Sequence, residues 1–283
     1  MKKFVLLVIL SVLAGCNRPT ATDDDDKQLI ITSTIPIKYF VDKIAGDKWE
    51  VMAMLPSGAN HSSYEPTIRD LKAVSDAKIF FETGNIGFEE AWMKRFKAIS
   101  RKCEFMDVSD GIKKIGGHYH DGEYHGADPH YWLSPRECLR IAYNIYSGVS
   151  NIDTINKNVY YENFKSVCQE IVTTDKAMQM KIGVKKGKSF LIYHPALTYL
   201  ADRYGLNQIA IEEEGKEPTA SHIAEIIKIA KAKNINIILY QQQYTGASVH
   251  NIAKEIGATP VSFDPMEYNW SENLLSIANE LAK

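Results

Sequence analysis

Most of the features that would settle this chain's class by a single motif are scarce or missing. It has four cysteines in 283 residues. None forms a C-x-x-C pair, and with Cys16 set aside the other three, Cys103, Cys138 and Cys168, are odd in number. That argues against a cysteine-based zinc site or a disulfide scaffold, and leaves room for one bridge at most. No apolar run is long enough to span a bilayer as a helix. Charge of neither sign dominates, with 33 Lys and Arg against 35 Asp and Glu for a formal net charge of −2, so nothing points to nucleic acid. Neither H-E-x-x-H nor G-x-S-x-G occurs, which removes two common hydrolase signatures. No internal repeat of fixed period is visible.

What is present begins with an N-terminal leader. Lys2 and Lys3 precede an apolar run from Phe4 to Leu10 and then the small-residue exit "LAGC" ending at Cys16. This pattern predicts a signal peptide over 1–15. "LAGC" resembles the bacterial lipobox, in which the cysteine thiol is acylated and becomes the first mature residue. Each buried methylene of such a chain contributes roughly 0.8 kcal/mol, so several hold a protein on a lipid bilayer without a spanning helix. Residues 16–28, with "DDDDK" inside them, have no apolar periodicity and read as a solvated, lipidated tether.

From Leu29 onward, short apolar runs alternate with amphipathic stretches. "LIITST", "EVMAML", "KIFFETG" and "EFMDVS" read as strands, separated by "IPIKYFVDKIAG", "IRDLKAVSDA" and "EEAWMKRFKAI" as helices. The pattern resumes with "SFLIY", "NQIAI", "NIILYQ" and "TPVSF", accompanied by "PTASHIAEIIKIAKAKN" and "SENLLSIANELAK". Strands spaced by helices predict parallel sheets. Between the two blocks, Ile155, Val159, Tyr160, Phe164, Val167, Cys168, Ile171 and Met178 fall near helical spacing with no Gly or Pro among them. The expected fold is α/β: an N-terminal lobe over 29–152, a long linking helix over 153–185 and a C-terminal lobe over 186–283.

In open parallel sheets, ligands collect where loops leave the carboxyl ends of the strands. His61 follows "EVMAML", His130 closes the loop after "EFMDVS", His194 follows "SFLIY" and Asp264 follows "TPVSF". Four metal donors thus sit at strand exits, two in each lobe, which places a metal site in the cleft between the lobes. Three imidazoles and one carboxylate suit Zn²⁺, whereas Mn²⁺ takes more oxygen donors. His118, His120 and His125 lie in "GGHYHDGEYHGAD", whose glycines and lack of an apolar run predict a flexible accessory loop that grips metal weakly. Tyr64, Glu65, Trp132 and Tyr193 are candidates to orient the imidazoles. His222 and His250 read as ordinary helix residues.

Six segments in order carry a wider likeness: "LPSGANHSSYEPT", "FETGNIGFEEAW", "DPHYWLSP", "YHPALTYLADRYGL", "EGKEPTASHIAEIIKIAKAKNINIILYQQQY" and "SFDPM". Together they resemble the zinc/manganese solute-binding proteins of ABC transporters. The resemblance implies metal ligands at His61, His130, His194 and Asp264. It also implies that His194, which replaces the Glu of manganese-type members, selects Zn²⁺ over Mn²⁺. Asn60, where some zinc-type members have a ligating Glu, and Gln241 to Gln243, in a region that is often acidic, depart from the pattern and bear on the fourth ligand.

The expected function is a monomeric zinc receptor of the cell envelope, anchored through Cys16 and passing Zn²⁺ to a membrane permease. It has no enzymatic activity and no nucleic-acid partner. Three other readings are a manganese receptor of the same family, a surface adhesin and a zinc hydrolase. A fourth protein ligand would close the open position a hydrolase needs.

Overall fold

The structure is a computed structural model that describes residues 27–59, 64–120, 123–212, 216–241 and 247–283. Eight strands form two parallel sheets. The first has the order β2-β1-β3-β4, from β1 (Gln28–Thr32), β2 (Trp49–Ala53), β3 (Ile79–Glu82) and β4 (Glu104–Asp107). These strands carry runs such as Ile30-Ile31 and Ile79-Phe80-Phe81, fully buried because helices cover a parallel sheet on both faces. Connecting them are α1 (Ile35–Ala45), α2 (Ile68–Asp76) and α3 (Gly87–Ile99).

Local signals set the bounds of these helices. Pro36 lies in the first turn of α1, where its missing N–H costs nothing, and Gly46 ends the helix at φ +66°. The Thr67 hydroxyl accepts the Asp70 amide at 3.3 Å, and the Asp70 carboxylate accepts the Thr67 amide at 2.7 Å. That reciprocal pair satisfies two amides that the first turn of α2 cannot bond internally.

The chain then forms β5 (Gly116–His120) and β6 (Glu123–Ala127), which pair antiparallel, with Tyr119 opposite Tyr124 and His118 opposite His125. The histidine tract is therefore a hairpin where the sequence reading expects a flexible loop. Each strand carries a tyrosine, a residue that favours extended backbone. Next come α4 (Pro135–Ile152) and α5 (Lys157–Ile182), 18 and 26 residues long. The buried side of α5, Tyr160, Val167, Ile171, Thr174, Met178 and Ile182, recurs every three to four residues or two turns on.

The second sheet has the order β10-β9-β7-β8, from β7 (Ser189–Ile192), β8 (Asn207–Ala210), β9 (Ile237–Gln241) and β10 (Thr259–Phe263). With it go α6 (Thr198–Tyr204), α7 (Ala220–Ala232), α8 (Ala247–Ile256) and α9 (Trp270–Leu281). Successive residues of a strand point to opposite faces. Phe190 and Ile192 accordingly face the main core, with Leu239 and Trp270, while Leu191 and Tyr193 join Ile238, Ile226 and Val249 in a second core.

The main core runs without a break from the first sheet, through α4 and α5, into the near face of the second. The C-terminal helix α9 crosses back to the first sheet's side, its Trp270 ring edge-on to Phe40 at 5.2 Å. Trp132 completes the tie: its indole N–H donates to the Pro265 carbonyl at 2.7 Å, and its own carbonyl accepts the Trp270 indole at 2.6 Å. Opening the two sheets like a book would expose this core, so the fold favours a fixed cleft over a wide hinge.

Candidate metal centre

Two of the four expected ligands come together at the cleft. His130 and His194 stand with ring centroids 5.3 Å apart and planes at 75°. His130 is 2% exposed and His194 20%. They reach this place from different elements. His130 ends the chain segment that leaves β6, just before a single 3-10 turn over Tyr131–Leu133, and His194 lies two residues beyond β7.

Each ring is steered by a carboxylate. Asp128 Oδ1 bonds His130 Nδ1 at 2.7 Å and also accepts the His130 backbone N–H at 2.8 Å. Glu212 Oε1 bonds His194 Nδ1 at 2.8 Å, and Glu212 is itself nearly buried, its side chain 6% exposed. With Nδ1 bonded in both rings, a metal bound by either histidine would be met through Nε2. A carboxylate behind an imidazole fixes ring orientation and raises donor strength, the usual surrounding of a metal-ligating histidine. Burial pushes the Asp128 carboxyl up, but the His130 ring, its amide and the Thr198 hydroxyl outweigh that and hold it below the ordinary carboxylate range.

Asp264 closes β10. Its Oδ1 accepts the Met266 amide at 2.8 Å and its carbonyl accepts Asn273 Nδ2 at 2.8 Å, so its backbone is fixed at the start of the turn into α9. It directly precedes Pro265, the residue tied to Trp132, and this brings the β10 exit to the His130 segment. Among the described residues no three His, Cys, Asp or Glu side chains converge closely enough to hold a metal ion. His61 lies outside the described residues. The hairpin register fixes the backbone positions of His118, His120 and His125 beside the entry to the His130 segment.

Asp128 and Glu212 are the functional residues that the sequence reading passes over. Of the residues it nominated instead, Tyr64 donates to Asp70 at the start of α2 at 3.0 Å, and Tyr193 packs in the second core. Trp132 is a tie between the lobes. Gln241, fully buried at the end of β9, donates to the His194 carbonyl at 3.2 Å and so holds the backbone at that histidine. Among the described residues no helix is long and apolar enough to cross a membrane, and Cys16 lies outside them.

Two parallel sheets, a long helix beside them and a pair of carboxylate-steered imidazoles where the chain leaves β6 and β7 define a class of metal-binding protein. The model of the zinc-uptake complex component A family, described as periplasmic, matches residues 30–282, and the chain belongs to that family. The chain is 29% identical to the zinc-binding lipoprotein AdcA of Streptococcus pneumoniae over 94% of its own length, and spans 56% of that longer protein. It is 28% identical to the high-affinity zinc uptake system protein ZnuA of Bacillus subtilis, covering 93% of this chain and 88% of the relative. A crystal structure of ZnuA superposes with a TM-score of 0.84 at 32% identity, covering 91% of this chain and 98% of the other. A manganese-bound periplasmic metal-binding protein from Candidatus Liberibacter asiaticus shares the fold at a TM-score of 0.79 and 19% identity. The family is one of uptake components, which decides against the hydrolase.

Proposed function

We propose that this protein is an extracytoplasmic receptor that captures Zn²⁺ and delivers it to the permease of an ABC transporter. The observation that carries the reading is the pair of imidazoles, His130 and His194, with ring centroids 5.3 Å apart and each held at Nδ1 by its own carboxylate. We take His61 and Asp264 as the remaining ligands. The set of three nitrogens and one oxygen meets the preference of Zn²⁺ for four donors. Mn²⁺ is the second ion the site accepts, less well. His118, His120 and His125 on the β5–β6 hairpin add weaker contacts at the mouth of the cleft.

The membrane attachment we assign to Cys16, acylated after removal of residues 1–15, with 16–28 as the tether and lobes over 29–152 and 186–283 joined through 153–185. The receptor works as a monomer in the cell envelope.

Competitive titration of the soluble domain with Zn²⁺ and Mn²⁺ tests the reading. One tight Zn²⁺ per chain, preferred over Mn²⁺, is expected. Tight binding of neither ion would sink it, and a preference for Mn²⁺ would replace zinc with manganese as the cargo. Cys16→Ser should release the processed protein from the membrane fraction, and a processed variant that still withstands a high-salt wash there would refute the anchor.

A further inference from the structure

The segment that carries His130 rests on a buried carboxyl that lies outside the metal centre. Glu89, in the first turn of α3, is 4% exposed. Its Oε1 accepts the Thr83 amide at 2.7 Å and its Oε2 the Gly84 amide at 2.8 Å. The same two residues are gripped from their other side, where the Tyr131 hydroxyl bonds the carbonyl of Thr83 and that of Gly84, the latter at 2.5 Å. One residue on, Asn85 is held at φ +61° and donates its Nδ2 to the Ala127 carbonyl at 2.6 Å.

Thr83 to Asn85 is therefore a small plate with no slack. Glu89 holds its amides. Its carbonyls and the Asn85 amide hold the neighbouring strip at Ala127 and at Tyr131. Asp128 and His130 lie between those two points. Gly84 stands at φ +87°, and a Cβ there would come within 2.5 Å of Asp107 Oδ1, so no other residue type sits in the plate without displacing it.

Burial pushes the Glu89 carboxyl up to about 8, more than the Ser33 hydroxyl and the Gly84 and Thr83 amides offset, and the nearby Glu82 charge adds to the rise. A carboxyl kept in such a place at that cost is held for its contacts.

We propose that Glu89 is a positioning residue for metal capture, fixing the Thr83–Asn85 plate so that the Ala127–Tyr131 strip holds the His130 ring in its binding pose. The proposal rests on His130 being a ligand. In Glu89→Gln the side-chain NH₂ has no lone pair to offer, whereas the carboxyl oxygen it replaces can accept an amide whether the group is charged or neutral, so the plate loses a bond and sets donor against donor.

The test is a double-mutant cycle read by zinc competition. Glu89→Gln alone should weaken zinc by about 10-fold or more, the range for losing a group that orients a ligand. In a His130→Ala background it should cost nothing further, whereas in a His194→Ala background its cost should persist. In ¹⁵N spectra of the metal-free protein the His130 ring signals should move and those of His194 stay. Equal costs in both backgrounds, or an unchanged affinity, would overturn the proposal. If Glu89→Gln does not fold, Tyr131→Phe, which cuts the other grip on the same plate, is put through the same cycle with the same outcomes expected. A His130→Ala variant that binds zinc like the parent would sink the ligand assignment instead, a result that the Glu89 variants cannot imitate.

Discussion

The two imidazole arms of the cleft are built on opposite principles. Asp128 is two residues from His130, and one oxygen of it takes both the ring nitrogen and the backbone amide, a local turn that forms wherever Asp precedes such a corner. Glu212 is 18 residues from His194. That separation is the register of the sheet. β7 pairs with β8 from Ser189 opposite Asn207 to Ile192 opposite Ala210, an offset that His194 and Glu212 continue past the last paired residues. One arm is made by a tripeptide, the other by a sheet. The first is rigid because its strip is also held by the Tyr199 hydroxyl, which donates to the Asp128 carbonyl at 2.9 Å, and the second depends on two strands leaving the sheet side by side.

Removing a ligand breaks the comparison most severely. His130→Ala should weaken zinc by more than the roughly 100-fold that marks the upper range for losing an orienting partner. His194→Ala should cost tenfold or more, on the order of the lower end of that range, because its ring is the more exposed of the two and more readily replaced by water. Competition against a chelator of known affinity measures both. Parent-like binding by either folded variant would remove that residue from the site.

The partners come next. Asp128→Asn should cost zinc affinity by about 10- to 100-fold and also lower the melting temperature of the metal-free protein, since the charge that strengthens the bonds to both the ring and the backbone amide is lost. Glu212→Gln should cost about tenfold and leave the melting temperature nearly unchanged, because among the described residues its carboxylate holds the His194 ring and no backbone amide. A larger stability loss at Glu212 than at Asp128 would reverse the local-versus-register assignment.

The difference between the arms also explains what was legible. All eight strands of the parallel sheets could be read: the central β1, β3, β7 and β9 appear as buried apolar runs, and the edge strands β2, β4, β8 and β10 as shorter, half-buried stretches between helices. Helix α4 could not be read as easily, although Pro135 opens it and Cys138, Ile141, Ala142, Ile145 and Val149 line its buried side. It follows the Asp128–His130 turn and runs into α5, with no strand after it to mark its end. The hairpin was hidden because its strands are rich in polar and histidine residues that read as loop. Asp128 lay in plain sight beside its histidine. Glu212, first of three consecutive glutamates, reads as solvated charge until the β7–β8 register sets it against His194.

Acid separates the arms in another way. The Asp128 carboxyl is held below its ordinary value in the folded protein, so the folded state binds fewer protons than the unfolded chain in the acid range. Its contribution to stability is fully present above about pH 3.9 and is lost as pH falls through the lower folded value. In metal-free protein the parent should therefore lose melting temperature more steeply than Asp128→Asn as pH is lowered below about 4. Parallel curves for the two proteins would show that the carboxylate contributes nothing charge-dependent to the turn.

The smallest effect concerns which metal is preferred. His194 holds a ring nitrogen where a carboxylate would present hard oxygens, and its place at a strand exit, with its backbone carbonyl held by Gln241, tolerates a side chain of similar reach. In His194→Glu the new carboxylate faces Glu212, and two like charges that close raise the cost of the metal-free state. A divalent ion relieves that repulsion whichever ion it is, so absolute affinity mixes two effects and the ratio isolates the donor. Replacing nitrogen by oxygen should move the ratio of zinc to manganese affinity toward manganese by a factor of a few, while zinc stays the tighter ligand because His130 is untouched. Paired titrations of parent and variant at one pH measure the ratio. An unchanged ratio would mean that selectivity is set by the His130 arm and the rest of the ligand set.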